Sequence, residues 1–396
     1  MKMLKTRNMF RPHLGQINKD VAAFHRTFTT LLVSVGCILS LSSCVKNKDY
    51  PFISGIEEEM PKPKPPKEDI PDLYLKDVYA SYFPIGTCVL SSQLSSNANM
   101  ITSHYTSLTA ENEMKFESLQ PTENNFLWDK ADAIVDFVVG KNMKVRGHTL
   151  VWHRQTPDWV FKNGGDKADK NMLYQRMEAH IKAVMTRYKG KVYCWDVVNE
   201  VISDNTADYF RQDSEWYKIA GEEFVEKAFE MAHAADPDAL LFYNDYNLCT
   251  PEKRDKVASM IQKLKEKGVP IHGVGMQAHY NVAFPSENDF VAAIDKFASL
   301  GCQVHITELD VSIYTSNDDK EAPYTTETET KQRAQYKMLF KVLREKREQV
   351  TSVSFWGISD KYSWLNNWPV ENRKDYPLLF DRSLSKKIPF IDVVKF

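Results

Sequence analysis

Cysteine, surplus positive charge and long apolar runs are all scarce in this chain of 396 residues. Each shortage removes a class of protein. The uncharged run Thr29–Leu41 has 13 residues. At about 1.5 Å per residue it reaches roughly 20 Å, short of the roughly 30 Å hydrocarbon core of a bilayer, so a spanning helix is not its best reading. Of six cysteines, Cys37 and Cys44 fall in or just after that run. Cys88, Cys194, Cys249 and Cys302 remain, too few to build a disulfide scaffold, although an oxidising compartment would allow two bridges. Cys88 and Cys194 lie within β-like runs, where a small buried hydrophobe is expected. The 51 basic residues are outnumbered by 53 acidic ones, giving −2. Residues 1–43 hold six of the basic and one of the acidic residues, so without them the balance is 45 against 52, or −7. No global positive field exists to hold nucleic acid, and a neutral substrate suits the body of the chain better. What the chain does have is 43% hydrophobic residues with 8 Trp, 18 Tyr and 21 Phe, the composition of a globular protein with a full core.

The N-terminal segment reads as an address. Basic residues precede the apolar run, and Leu41, Ser42, Ser43 and Cys44 follow at its end. An apolar run of this length after a basic region is a signal h-region, and small residues followed by cysteine resemble a bacterial lipoprotein processing site. On that resemblance residues 1–43 are a signal peptide, Cys44 is the lipidated first residue of the mature chain, and the protein is held on the cell envelope, facing the periplasm or the outside. A plain secretory signal is the alternative. Residues 44–73 include five prolines after Glu59 and few apolar residues, which favours an extended tether.

From residue 82 onward, short apolar or β-branched runs recur at 83–89, 107–110, 143–151, 192–198, 239–243, 272–277, 303–307 and 350–356. Segments 129–140, 170–188, 215–234, 252–267, 288–299 and 330–347 carry apolar residues at helical spacing, as in Ile219, Phe224, Ala228 and Met231. Eight strands alternating with helices predict a parallel sheet closed into a (β/α)8 barrel over residues 74–396. An open doubly wound sheet would ordinarily follow its first strand with a glycine-rich phosphate loop. The sequence there is LSSQLSSNANM, which contains no glycine.

A barrel does its chemistry at the C-terminal ends of its strands. Those ends present Glu111, Asn112 and Lys115; His148, Trp152, His153 and Gln155; Asn199 and Glu200; Asn244, Asp245 and Asn247; Gln277 and His279; Glu308 and Asp310; and Trp356. Five of the eight tryptophans, at 152, 159, 356, 364 and 368, fall near the expected mouth. Flat aromatic faces interleaved with amides and carboxylates suit sugar rings. Two carboxylates across such a mouth are the equipment for cleaving a glycosidic bond, one protonated to serve the leaving oxygen and one ionised at the anomeric carbon. Glu200 and Glu308 fit best, because each ends an apolar strand, VVNE and HITE.

The phrases GTCV at 86–89, TAENEMKF at 109–116, RGHTLVWH at 146–153, WDVVNE at 195–200, FYNDYN at 242–247, GVGMQAHY at 273–280, HITELD at 305–310 and FWG at 355–357 together resemble family 10 of the glycoside hydrolases, the retaining endo-β-1,4-xylanases. The resemblance implies that Glu200 is the acid/base and Glu308 the nucleophile, and that Asn199 holds the 2-hydroxyl of the reacting sugar. It implies that Gln277 and His279 support Glu308 and that sugar, with His148, Trp152 and Lys115 completing the surroundings. Glu111, Asn112 and Gln155 would reach hydroxyls on the glycone side, and Trp356 and Trp364 would form floor and lid. The implied partners are xylan and xylooligosaccharides, with no nucleic acid, no cofactor and no metal, and a monomeric catalytic domain. Phe116 and Arg154 depart from the family's usual tryptophan and small residue. Three other readings remain: a β-1,4-glucanase or mixed-specificity enzyme, a non-catalytic glycan-binding lipoprotein, and a metal-dependent hydrolase using histidines such as His272 and His305.

Overall fold

A computed structural model describes residues 68–396. The signal peptide, Cys44 and the tether as far as residue 67 lie outside the described residues. Eight parallel strands form the centre: β1 (Ile85–Val89), β2 (Ser107–Ala110), β3 (Lys144–Trp152), β4 (Val192–Asn199), β5 (Leu240–Asp245), β6 (Gly273–Met276), β7 (Gln303–Ser312) and β8 (Val350–Phe355). Each pairs with the next, and β8 pairs with both β7 and β1, with Val353 opposite Ile306 and Ile85. The sheet is closed, a (β/α)8 barrel, as the periodicity predicts. A short strand, His279–Asn281, adds to β7 beyond β6 and sets His279 opposite Asp310.

The strands read clearly in the sequence because both faces of a parallel barrel are buried, so they are nearly continuous apolar runs. All five residues of β1 are buried, and so are eight of the ten in β7. Helices Asp129–Gly140 and Lys170–Tyr188 match the expected segments. The second opens on Asp169, whose carboxylate accepts the Met172 N–H at 2.8 Å and satisfies a free donor of the first turn. The helix expected at 215–234 is two, Glu215–Ala220 and Glu223–Ala235, broken at Gly221, whose φ of 66° is open to glycine at little cost. One barrel helix was not among the segments expected from helical spacing. Leu94–His104 buries Asn97 and His104 alongside Leu94 and Ile101, so half its inner face is polar.

Packing sets what can stand beneath the mouth. A Cβ on Gly147 of β3 would come within 2.2 Å of the Trp195 ring, so glycine there lets the fully buried indole of β4 lie against β3. All four cysteines of the described residues are buried free thiols. His305 and His272 have core roles: His305 stacks on Phe242 at 4.0 Å, and His272 Nδ1 accepts the Leu241 N–H at 2.9 Å. The last residues of the segment read as a tether touch the barrel. Glu68 pairs with Arg333 at 2.9 Å, Asp72 with Lys386 at 3.3 Å, and Ile70 packs on the core.

Candidate active site

The C-terminal mouth holds a cavity of about 460 Å³. Ten of the thirteen residues expected there line it: Lys115, His148, Trp152, Asn199, Glu200, Gln277, His279, Glu308, Trp356 and Trp364. Strand register brings them together. Trp152 of β3 lies opposite Asn199 of β4, Asn199 opposite Asn244 of β5, and Asn244 opposite Gly275 of β6. Gly275 must be small, since a Cβ there would fall 2.2 Å from Asn244 Oδ1.

Glu308 lies inside β7, four residues before the strand ends, rather than just after it. Its side chain is almost wholly buried at 4% exposure. Burial alone would drive a carboxyl towards its neutral form. Against this, His279 Nε2 meets Oε2 at 3.1 Å, Asn244 Nδ2 donates to Oε1 at 2.8 Å, and the His148 and His279 imidazoles stand nearby. The balance favours the anion: burial raises the Glu308 pKa, but these partners outweigh it and bring it down to about 2. His279 is itself held as a cation. Burial opposes its charge, yet Asp310 and Glu308 raise its pKa to about 10. Asp310 Oδ2 meets His279 Nδ1 at 2.9 Å and accepts the Trp364 indole N–H at 2.9 Å, so one carboxylate orients both the imidazole and the aromatic lid.

Glu200 is approached by neutral donors. Trp152 Nε1 donates to Oε2 and Gln277 Nε2 to Oε1, each at 2.9 Å. His153 lies 4.0 Å from Oε2, but burial and the charges of Arg211 and Arg154 push its pKa down to about 3, so the contact is not an ion pair at neutral pH. The Glu200 backbone has φ 58°, a left-handed conformation that a side chain adopts at some cost. Two bonds fix it there. Its N–H donates to the Asn244 carbonyl at 3.0 Å, and its own carbonyl accepts from Arg211 Nε at 3.0 Å.

An amide relay joins the two glutamates. Asn244 Oδ1 accepts the Thr307 hydroxyl at 2.7 Å, which turns its NH2 group towards Glu308 and towards Asn199 Oδ1 at 2.9 Å. Asn199 Oδ1 also accepts from Gln277 at 3.3 Å. With that oxygen doubly engaged, the Asn199 NH2 is the end left to donate into the cavity. A layer further out, Asp196 of β4 accepts from Arg146 and meets His148 Nδ1 at 2.8 Å, fixing the imidazole.

Three differences from the sequence expectation stand out. The Gln277 side chain bonds Glu200 and Asn199, not Glu308, which it supports only by accepting the Glu308 N–H on its backbone carbonyl at 2.8 Å. Glu111, Asn112 and Gln155 do not line the cavity, though Asn112 Oδ1 accepts from Lys115 at 2.9 Å. Trp159 also stands outside it, packed edge-on against Phe116, whereas Trp368 lines it. Asn244 and Arg211 were not among the expected site residues. Asn244 was visible as one of several amides at the end of the fifth strand, and Arg211, in the long loop after β4, had no local signal.

The family model of glycosyl hydrolase family 10 matches residues 74–396. Endo-1,4-beta-xylanase B of Paenibacillus barcinonensis is 44% identical over 319 residues, spanning 80% of this chain and 96% of its own length. The beta-1,4-xylanase of Dictyoglomus thermophilum is 48% identical over 324 residues, spanning 81% and 90%. The crystal structure of xylanase XynB from P. barcinonensis, complexed with a conduramine derivative, aligns with a TM-score of 0.80 over 82% of this chain and 98% of that one. A closed parallel barrel carrying Glu200 and Glu308 across one mouth, and a family match over the whole barrel, establish that the chain belongs to glycosyl hydrolase family 10.

Proposed function

We propose that Glu308 and Glu200 carry out the endo-hydrolysis of β-1,4-xylosidic bonds in xylan by double displacement with retention. The observation that carries the assignment is the asymmetry between them: Glu308 is bonded to a charged imidazole, Glu200 to an indole and an amide. Charged donors hold an anion more strongly than neutral ones. Glu308 is therefore the group kept ionised to attack the anomeric carbon, and Glu200 the group that carries the proton. In the first step Glu308 forms a bond to that carbon as the glycosidic bond breaks, and the Glu200 proton passes to the leaving oxygen. In the second, the Glu200 carboxylate takes a proton from water, whose oxygen displaces Glu308 and returns both groups to their starting states.

Surrounding residues supply binding. In this reading the Asn199 NH2 holds the 2-hydroxyl, and Lys115 and His148 bind the same sugar, a reading supported by all three lining the cavity. Trp356 and Trp364 close on the ring near C5, where xylose carries only hydrogen, so a hydroxymethyl group would overlap them and disfavour glucose. Glu111, Asn112 and Gln155 belong, in this reading, to the outer glycone end of the cleft. In the same reading residues 74–396 are the catalytic domain, 44–73 the tether, and Cys44 the lipid anchor that keeps the enzyme on the cell envelope. The support for the anchor is the LSSC junction after the 13-residue apolar run.

Glu200→Ala should lose nearly all turnover of xylan yet retain far more of the first step on an aryl xylobioside whose leaving group needs little protonation. Burst kinetics on the two substrates check this, and equal loss on both would remove Glu200 from the acid role. His279→Gln takes away the cation beside Glu308, so the nucleophile must gain protons at higher pH. The acidic limb of kcat/KM should move up by about one unit or more, given that an adjacent opposite charge shifts a carboxyl by roughly 1–3 units. An unmoved limb in a pH–rate profile would show that His279 does not hold the charge. For the anchor, Cys44→Ala should move the protein out of the membrane fraction or leave it unprocessed, and unchanged mass and partitioning would reject lipidation.

A further inference from the structure

The cations lining the cavity are not equally occupied. Lys115 donates to Asn112 and faces Glu308 and Glu111; Arg211 donates to the Glu200 carbonyl, Asp204 and Tyr246; His279 is shared between Glu308 and Asp310. Arg154 is different. It is exposed, it lines the same cavity, and among the described residues its guanidinium makes no hydrogen bond or ion pair, only its backbone carbonyl accepting weakly from Thr156. Its one side-chain contact of note is aromatic: the guanidinium lies 5.3 Å from the Trp368 ring centroid, and Trp368 is 51% exposed.

A guanidinium within cation–π reach of an indole is drawn to the ring through its charge and keeps its N–H edge open. An edge of that kind matches a carboxylate, which takes two parallel N–H donors. A linear xylose chain carries no charge and has no use for an unpaired cation at the rim of its cleft. Plant xylans also carry hexuronic acids as branches, and their carboxylates are the anions such a chain brings to this place. Resting on the assignment of xylan as substrate, we infer that Arg154, presented on Trp368, is a specificity-determining residue that binds the carboxylate of a uronic acid branch while the main chain occupies the cleft. Arg154 contributes to how a branched chain is accepted and takes no part in the bond-breaking step.

The test compares glucuronoxylan with the same polymer after reduction of its carboxyl groups to alcohols. The readout is the ratio of kcat/KM on the acidic polymer to that on the reduced one, which cancels any change common to both. In the wild type this ratio should exceed that of Arg154→Ser by about fivefold, the factor equivalent to about 1 kcal/mol for a solvent-screened ion pair. Arg154→Lys, which keeps the charge without the fork, should fall between them, and the wild-type preference should shrink as sodium chloride is raised. A ratio that is the same in wild type and Arg154→Ser overturns the inference while leaving xylan hydrolysis intact. A wild type that cleaves neither these polymers nor linear xylooligosaccharides overturns the functional reading, and this inference falls with it.

Discussion

A carboxylate removed from water and still held as an anion governs the mouth of this barrel. Glu308 is 4% exposed, and burial by itself would neutralise it. It stays ionised because a protonated imidazole and an amide each give it a hydrogen bond, and because Asp310 in turn keeps that imidazole charged. Asp310, His279 and Glu308 thus form an alternating row of charges whose end group faces the cavity. The same Asp310 binds the Trp364 indole, so the group that secures the charge also sets the wall against which a sugar would lie. Chemistry and shape are coupled through one buried side chain.

The barrel makes this arrangement by register. Parallel pairing sets Trp152, Asn199, Asn244 and Gly275 at one level across four consecutive strands, which is why an amide relay can run from Glu200 through Gln277, just past the end of β6, and on through Asn199 and Asn244 to Glu308. Left-handed backbone recurs at the exits. Gln155, Glu200, Asn247 and Ala278 all have positive φ just beyond strand ends, where the chain turns out of the barrel. At Glu200 the neighbouring strand and Arg211 supply the bonds that offset the cost.

Much of this could be read from residue order, for identifiable reasons. Eight strands were visible because they are buried on both faces. The two glutamates stood out because each follows an apolar run. Less legible was anything decided by contacts across strands. The helix 94–104 hides its period because Asn97 and His104 face inward. Glu308 looks like a strand end, yet β7 runs on to Ser312 because the short strand at His279 continues its pairing. That Gln277 supports Glu308 with its backbone carbonyl while its side chain bonds Glu200 was not legible, because it depends on which way one amide turns. Asn244 could be chosen over Asp245 or Asn247 only once Gly275 and Thr307 were known to flank it. Arg211 reaches Glu200 through a bridge between Ile202 and Phe210 that no local pattern foretells.

Glu308, and not Glu200, is the group proposed to bond to the anomeric carbon. A 2-fluoro-xylobioside with a good leaving group forms the glycosyl-enzyme but slows its hydrolysis, so the labelled protein can be digested and the modified peptide sequenced by mass spectrometry. One 2-fluoro-xylobiosyl group per chain is expected, on the peptide containing Glu308 and fragmenting at that residue. A label on Glu200, or release of product with the α configuration and no covalent adduct, would contradict it.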